Sequence, residues 1–146
     1  MRSRISALAL ALLFLAGTAP ALAQSNNANV DAAKQAAQEW LALIDADKYE
    51  ASWSEAAGIF TAQLTAEQWA ARVQQAHSQL DSLQSRSLIA ARYTESLPNL
   101  PKGDYVVAQY RATYGSKKTV ETVTLTKEQD TWRVAGYFIR PENQNQ

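Results

Sequence analysis

The fold is decided by residues 104–139, which read DYVVAQYRATYGSKKTVETVTLTKEQDTWRVAGYFI. Apolar and polar residues alternate along this stretch, as they do in β-strands that bury one face. Two polar segments, Gly115–Lys118 and Lys127–Asp130, interrupt the alternation and predict turns. We therefore predict three consecutive antiparallel strands, at Asp104–Tyr114, Thr119–Thr126 and Thr131–Ile139.

The sequence before this stretch has a different period. Apolar residues at three- and four-residue spacing predict helices at Ala32–Ala46, at about Tyr49–Ala57, and from Thr65 onward, where Gln68 completes a capping-box pattern. Ser85–Tyr93 is a further strand candidate. We predict an α+β fold in which the N-terminal helices pack on one face of a curved antiparallel sheet of three to four strands.

The N-terminus has the pattern of a secretory signal peptide. Arg2 and Arg4 precede an apolar run from Ile5 to Ala16, and the triplet Ala21-Leu22-Ala23 predicts cleavage after Ala23. The alternative is an uncleaved membrane anchor, although about a dozen apolar residues span a bilayer poorly. We expect a periplasmic or secreted protein. Its parts are a signal peptide at 1–23, a disordered tether at 24–30, one domain at 31–140 and a polar tail at 141–146.

The composition excludes several classes of function. The chain carries 14 Lys and Arg, 14 Asp and Glu, one His and no Cys. Zero formal charge argues against a nucleic-acid partner, and the lack of cysteine excludes disulfides, thiolate nucleophiles and cysteine metal sites. We find no nucleotide-binding or zinc-protease motif and predict no metal and no cofactor. After cleavage no remaining segment predicts stable membrane insertion.

Short aromatic motifs recur along the chain, namely WLALID at Trp40–Asp45, GDYVV at Gly103–Val107 and WRVAGY at Trp132–Tyr137. Together with Ser52-Trp53 and Leu97-Pro98, they resemble the bacterial family called domain of unknown function 4019. The resemblance implies an exported single domain, and it supplies no catalytic residues. The predicted architecture is also similar to the cone-shaped nuclear-transport-factor-2-like and cystatin-like α+β folds, which by itself does not define a function.

Counting residue pairs across the predicted hairpins brings Glu121 to an apolar face. If Gly115–Lys118 form a four-residue loop, Glu121 pairs with Ala112 and shares a face with Tyr110 and Tyr114. A second four-residue loop pairs Glu121 with Gly136 on its other side. Small neighbours leave space above an acid, which predicts a small-molecule pocket. The predicted pocket is walled by Tyr110, Tyr114, Trp132 and Phe138, and its ligand-binding candidates are Tyr110, Tyr114, Glu121 and Trp132.

Two interpretations of Glu121 remain open. It binds a ligand or works as a general acid–base with His77, which lies on the apolar stripe of the third helix. Alternatively, it is a structural ion-pair member satisfied by Arg86 or Arg72.

Three functions follow as hypotheses. The first is an exported, non-enzymatic module that binds a small ligand or a protein partner. The second is an acid–base enzyme, of the isomerase or hydrolase type, that uses Glu121 with His77 or a tyrosine. The third is a homodimer formed through the outer sheet face, where the predicted pairing exposes Val107, Val120, Tyr137 and Ile139.

Overall fold

The computed structural model describes residues 21–143. The helices are α1 (Ala21–Asp45), α2 (Tyr49–Ser54), α3 (Gly58–Thr61) and α4 (Ala66–His77). The strands are β1 (Leu83–Thr94), β2 (Tyr105–Tyr114), β3 (Lys117–Glu128) and β4 (Thr131–Pro141). The strands form an open, curved antiparallel sheet in the order β1-β2-β3-β4, and the helices cover one face. The predicted α+β class is confirmed. Below, the face toward the helices is the inner face.

The N-terminal helix begins earlier than the sequence predicts. Residues 24–30, expected to be a disordered tether, continue α1. Val30 packs against the core, and Asn29 accepts a hydrogen bond from the Lys127 ammonium at 3.5 Å, so this turn has tertiary contacts. The predicted signal peptide lies outside the described residues up to position 20, and the polar tail does so from position 144.

A buried serine joins the helices above the sheet. The indole of Trp40 donates to the backbone carbonyl of Ser52 at 2.7 Å, and the indole of Trp69 donates to the Ser52 hydroxyl at 2.9 Å. Ser52 is fully buried, so these bonds satisfy polar groups that water cannot reach. The capping box of Thr65 and Gln68 is present at the start of α4, as predicted.

The β2–β3 hairpin is tighter than predicted. Only Gly115 and Ser116 form the turn, Tyr114 pairs with Lys117, and Glu121 therefore pairs with Tyr110 instead of Ala112. Gly115 has φ 59°, a left-handed conformation that glycine adopts at low cost, and a Cβ there would also crowd the Asp81 side chain, so this position favours glycine. Two-residue turns match the twist of the sheet, which explains the extra pair of strand residues. The pairing of β2 with β3 therefore shifts by two residues from the prediction. Because side chains alternate with a period of two, Glu121 still points inward.

The β3–β4 hairpin differs in a way that changes faces. Its turn is also two residues shorter than predicted, since Glu128 pairs with Thr131. A bulge follows in β4, where Leu125 pairs with Val134 but the next residue of β3, Thr124, pairs with Gly136. Ala135 is the extra residue, and one extra residue reverses the direction of every later side chain in the strand.

The bulge corrects the predictions for the end of β4. Tyr137 pairs with Val123 on the inner face and packs against the core, whereas Phe138 pairs with Thr122 on the outer face and is 63% exposed. Phe138 is therefore not a wall of an inner pocket. Ile139 pairs with inward-facing Glu121, and Val120, though outward, is buried. The apolar outer patch expected from Val107, Val120, Tyr137 and Ile139 does not form as predicted.

Candidate functional site

Glu121 is completely buried and saturated with hydrogen-bond donors. Its Oε1 accepts from the hydroxyls of Tyr114 and Tyr137, both at 2.8 Å, and from Arg86 Nη2 at 3.2 Å. Its Oε2 accepts from Arg86 Nε at 2.5 Å. Because Glu121 is completely buried beneath these donors, a substrate in solvent does not reach its carboxylate.

Arg86 links Glu121 to a second acid, Asp45, at the end of α1. Arg86 Nη1 and Nη2 donate to the two carboxylate oxygens of Asp45 at 2.6 and 2.8 Å. This fork is the bidentate geometry in which a guanidinium binds a carboxylate most strongly. We call Asp45, Arg86, Tyr114, Glu121 and Tyr137 the polar network. Its two acids and one cation leave it with a net negative charge.

Electrostatics keep Arg86 charged and the two tyrosines of the network neutral. Burial disfavours the charge of Arg86, but hydrogen bonds and attraction from Asp45 and Glu121 outweigh burial and raise its pKa above the ordinary value. Burial, followed by repulsion from Glu121, raises the pKa of Tyr114 and Tyr137. Both tyrosines are therefore neutral donors to Glu121 at neutral pH.

His77 lies between the network and solvent. Its Nε2 is 3.4 Å from the hydroxyl oxygen of Tyr137, and its ring meets the ring of Tyr114 edge-on with centroids 5.8 Å apart. Because the Tyr137 proton is donated to Glu121, the contact requires a proton on His77 Nε2, which leaves Nδ1 as the basic nitrogen. Burial lowers the pKa of His77 below 6.5, against the opposing attraction of Glu121 and Asp45.

A groove of about 970 Å³ opens beside the network, and we call it the network groove. Two network members, Asp45 and Tyr114, form part of its wall, together with His77, which contacts Tyr137. The rest of the wall is mostly polar and includes Asp47, Tyr49, Gln74, Ser78, Asp81 and Ser82. Among the lining residues that the structure describes there is no Lys or Arg. The network groove is therefore polar and acidic, not the apolar pocket that the sequence predicts.

The predicted ligand-binding residues do not share one pocket. Trp132 pairs with Lys127, which lies six residues along β3 from Glu121. This separation along the strand corresponds to about 20 Å. Trp132 is buried beside a different groove of about 400 Å³. Tyr110 pairs with Glu121, but its buried hydroxyl has no hydrogen-bond partner within residues 21–143. Tyr114 is the residue that touches both Glu121 and the network groove.

Of the two proposed ion-pair partners, Arg86 forms the pair, whereas Arg72 lies exposed on α4. Sequence reasoning did not assign Asp45 or Tyr137 to the site. An acid at the C-terminal end of a helix opposes the helix dipole, so Asp45 was a detectable sign of a specific partner. Small residues inside a strand, as at Ala135-Gly136, were a detectable sign of the bulge that turns Tyr137 inward.

The described residues hold no group of three or more potential metal ligands, and no helix among them is long and apolar enough to cross a membrane. The wall of the network groove carries fixed hydrogen-bonding groups. At this wall, Tyr114 is fixed by its hydrogen bond to Glu121, and Asp45 is fixed by Arg86. His77 is positioned at the same wall by its contact with Tyr137.

These features define a small α+β domain with a helix-capped sheet, an ion-pair network centred on a buried acid, and a polar groove beside that network. A family model described as "Protein of unknown function (DUF4019)" matches residues 36–137, and the chain belongs to this family. Comparison with curated proteins and with solved structures finds no match.

Proposed function

We propose that this protein is an exported, non-enzymatic binding module that takes a small polar ligand in the network groove. The observation that carries the proposal is the wall of that groove, where Asp45, His77 and Tyr114 are held in place by contacts with Arg86, Tyr137 and Glu121. Fixed polar groups in a concave surface of this size are what small-molecule sites require. The ligand class follows from charge, since a wall with three aspartates favours a ligand that carries a cationic or hydrogen-bond-donating group.

The experiment is native mass spectrometry of the protein purified from its natural source, compared with two tryptophan variants. Ser82→Trp fills the network groove from an exposed lining position, and Ser87→Trp adds the same side chain at an exposed position of β1 outside the groove. We expect a bound small molecule in the wild type and in Ser87→Trp, and none in Ser82→Trp. Equal occupancy in both variants, or a co-purifying protein in place of a small molecule, contradicts the proposal.

Export is part of this proposal and rests on the leader sequence. The charged start, the apolar run and the triplet Ala21-Leu22-Ala23 support removal of the first 23 residues. The intact mass of the natural protein tests this directly, because we expect a chain that begins at Gln24. A mass that includes Met1 would indicate the uncleaved alternative.

A second candidate is acid–base catalysis in the same groove. The specific observation is the continuous contact from Glu121 through Tyr137 to His77, which reaches the groove wall. In this version His77 exchanges a proton with the substrate, and Glu121 only orients His77 through Tyr137, because Glu121 is completely buried. Hydrolysis of a panel of activated esters by the wild type, lost in His77→Gln and kept in Arg92→Gln, would support it.

Self-association through the outer sheet face is a third candidate, now carried by Phe138, which is 63% exposed. Phe138 is more exposed than Leu88 and Ile89, the other large apolar side chains exposed in the described residues, and aromatic side chains are enriched at protein–protein interfaces. Sedimentation velocity at high concentration tests it, since the wild type should form dimers and Phe138→Ser should not. A monomeric wild type removes this candidate.

A further inference from the structure

A second groove lies beside the C-terminal end of α4, where the start of β3 meets the end of β4. Its lining differs in chemistry from that of the network groove. Its volume is about 550 Å³. We call it the end groove. Ala76, Gln79 and Leu80 line it on the helix side, and residues 116–119 and 139–142 line it on the strand side. None of the residues assigned to the network groove except Leu80 takes part in it.

The floor of the end groove is apolar because the hydrophobic stripe of α4 continues past the core. Trp69 and Val73 begin that stripe and are buried, whereas Ala76 is exposed and Leu80 is only half-buried. Ile139, which the bulge turns toward the helices, faces the same space and is also half-buried. Ala76 on α4 and Leu80 just past its end therefore leave apolar surface that the described residues cover only in part.

The rim of the end groove is cationic. Lys117, Lys118 and Arg140 all line it and are exposed. Lys117 donates to the backbone carbonyl of Gln79, while Lys118 and Arg140 form no ion pair within the described residues 21–143. The acid at this rim, Glu142, is already paired with Arg111 at 2.6 Å. The charge at the rim is therefore positive and available.

We propose that the end groove binds a single-chain anionic amphiphile with a carboxylate head group. The alkyl chain lies on Ala76, Leu80 and Ile139, and the carboxylate meets Arg140 and Lys118. An apolar floor next to unpaired cations matches both halves of such a molecule, by burial of apolar surface and by charge-assisted hydrogen bonding. The end groove is also within the usual size range of small-molecule sites. This proposal is independent of the ligand proposed for the network groove.

The test compares three probes, octanoate, 1-octanol and acetate, by isothermal titration and by amide chemical shifts. Octanoate has both the chain and the charge, whereas each of the other probes has only one of them. We expect saturable octanoate binding that is roughly tenfold tighter than octanol binding, since one charge-assisted contact is worth about that factor. Acetate should not bind measurably. The shifts should concentrate at Leu80, Ile139 and their neighbours.

Three variants locate the binding. The double variant Lys118→Gln/Arg140→Gln should reduce octanoate affinity to that of octanol, and Ile139→Ser should weaken both probes. Arg92→Gln removes an equally exposed arginine from β1 and should change nothing. Ser82→Trp, which fills the network groove, should also leave octanoate binding unchanged, so the two grooves are tested separately. Equal affinity for octanoate and octanol, the same loss in Arg92→Gln, or shifts at His77 and Tyr114 alone would each overturn the proposal.

Discussion

Glu121 and Leu125 lie on the same face of the same strand, and both are completely buried, yet the protein holds them in opposite ways. Leu125 lies at the apolar end of the inner face, where it belongs to the core cluster that also contains Trp132 and Val134. Glu121 lies at the polar end, where four hydrogen bonds from three side chains replace its water. Apolar packing is non-directional, but a buried charge depends on each partner being present. The polar end is therefore the more specific and the more fragile of the two.

The largest effect is expected when the central cation of the polar network is removed. Arg86→Met leaves Glu121 buried without a counter-charge, which costs about 3–5 kcal/mol of unfolding free energy. Adding Glu121→Leu removes the uncompensated charge and should restore part of the loss. Arg92→Met, at an exposed position, should stay within about 0.5 kcal/mol of wild type. Urea unfolding measures all three, and a harmless Arg86→Met would show that the network does not stabilise the fold.

The matching change at the apolar end is Leu125→Ala, which creates a cavity and should cost about 2–5 kcal/mol. No single change of charge elsewhere should rescue it. Tyr114, another donor to Glu121, pairs with Lys117, eight residues along β3 from Leu125, which corresponds to about 26 Å, so Leu125→Ala and Tyr114→Phe should be additive to within about 0.5 kcal/mol. A large coupling energy in the double variant would mean that the two ends are one cooperative unit.

Tyr137→Phe deletes one donor to Glu121 and should cost about 1.5–3 kcal/mol near neutral pH, as for hydrogen bonds to charged groups. Because the pKa of Tyr137 is raised in the folded state, its contribution is complete below about pH 10 and declines above it, where the unfolded chain ionises. The stability of the wild type should thus fall more steeply than that of Tyr137→Phe between about pH 9 and 11. Parallel slopes in the two proteins would contradict the raised pKa.

The smallest effect is expected at His77 and has the opposite pH direction. Its folded-state pKa is below 6.5, so the unfolded chain binds a proton first as the pH falls, and stability declines below about pH 6.5. His77→Gln should flatten this acid-side slope and leave stability above about pH 7.5 nearly unchanged. His77 is only partly buried, so the change should be modest. Unfolding curves across this range, together with an NMR titration of the imidazole, provide the measurement.

Sequence reasoning succeeded where a result depended on local periodicity. The helix–strand order, the capping box at Thr65 and the inward direction of Glu121 all follow from spacing along the chain. The loop lengths of both hairpins were overestimated by two residues, and for the β2–β3 pair an even error leaves each side chain on its face. Glu121 was therefore placed on the correct face from an incorrect partner.

Sequence reasoning was wrong where one extra residue in a strand reversed the face to which the later side chains point. The bulge at Ala135 exchanged the roles of Tyr137 and Phe138, and the end of α1 brought Asp45 to Arg86 from 41 positions away. The predicted apolar pocket assumed small neighbours around Glu121, but Arg86 and two tyrosine hydroxyls occupy that space.

By itself, the sequence determined the α+β architecture and the burial of one acid, because the period of apolar residues fixes which faces must leave water. The tertiary structure alone decided what surrounds that acid and which grooves remain open. Those outcomes depend on contacts between segments distant in the chain, where a bulge, a salt bridge and a two-residue turn are selected by their combined free energy and leave only weak traces in local sequence.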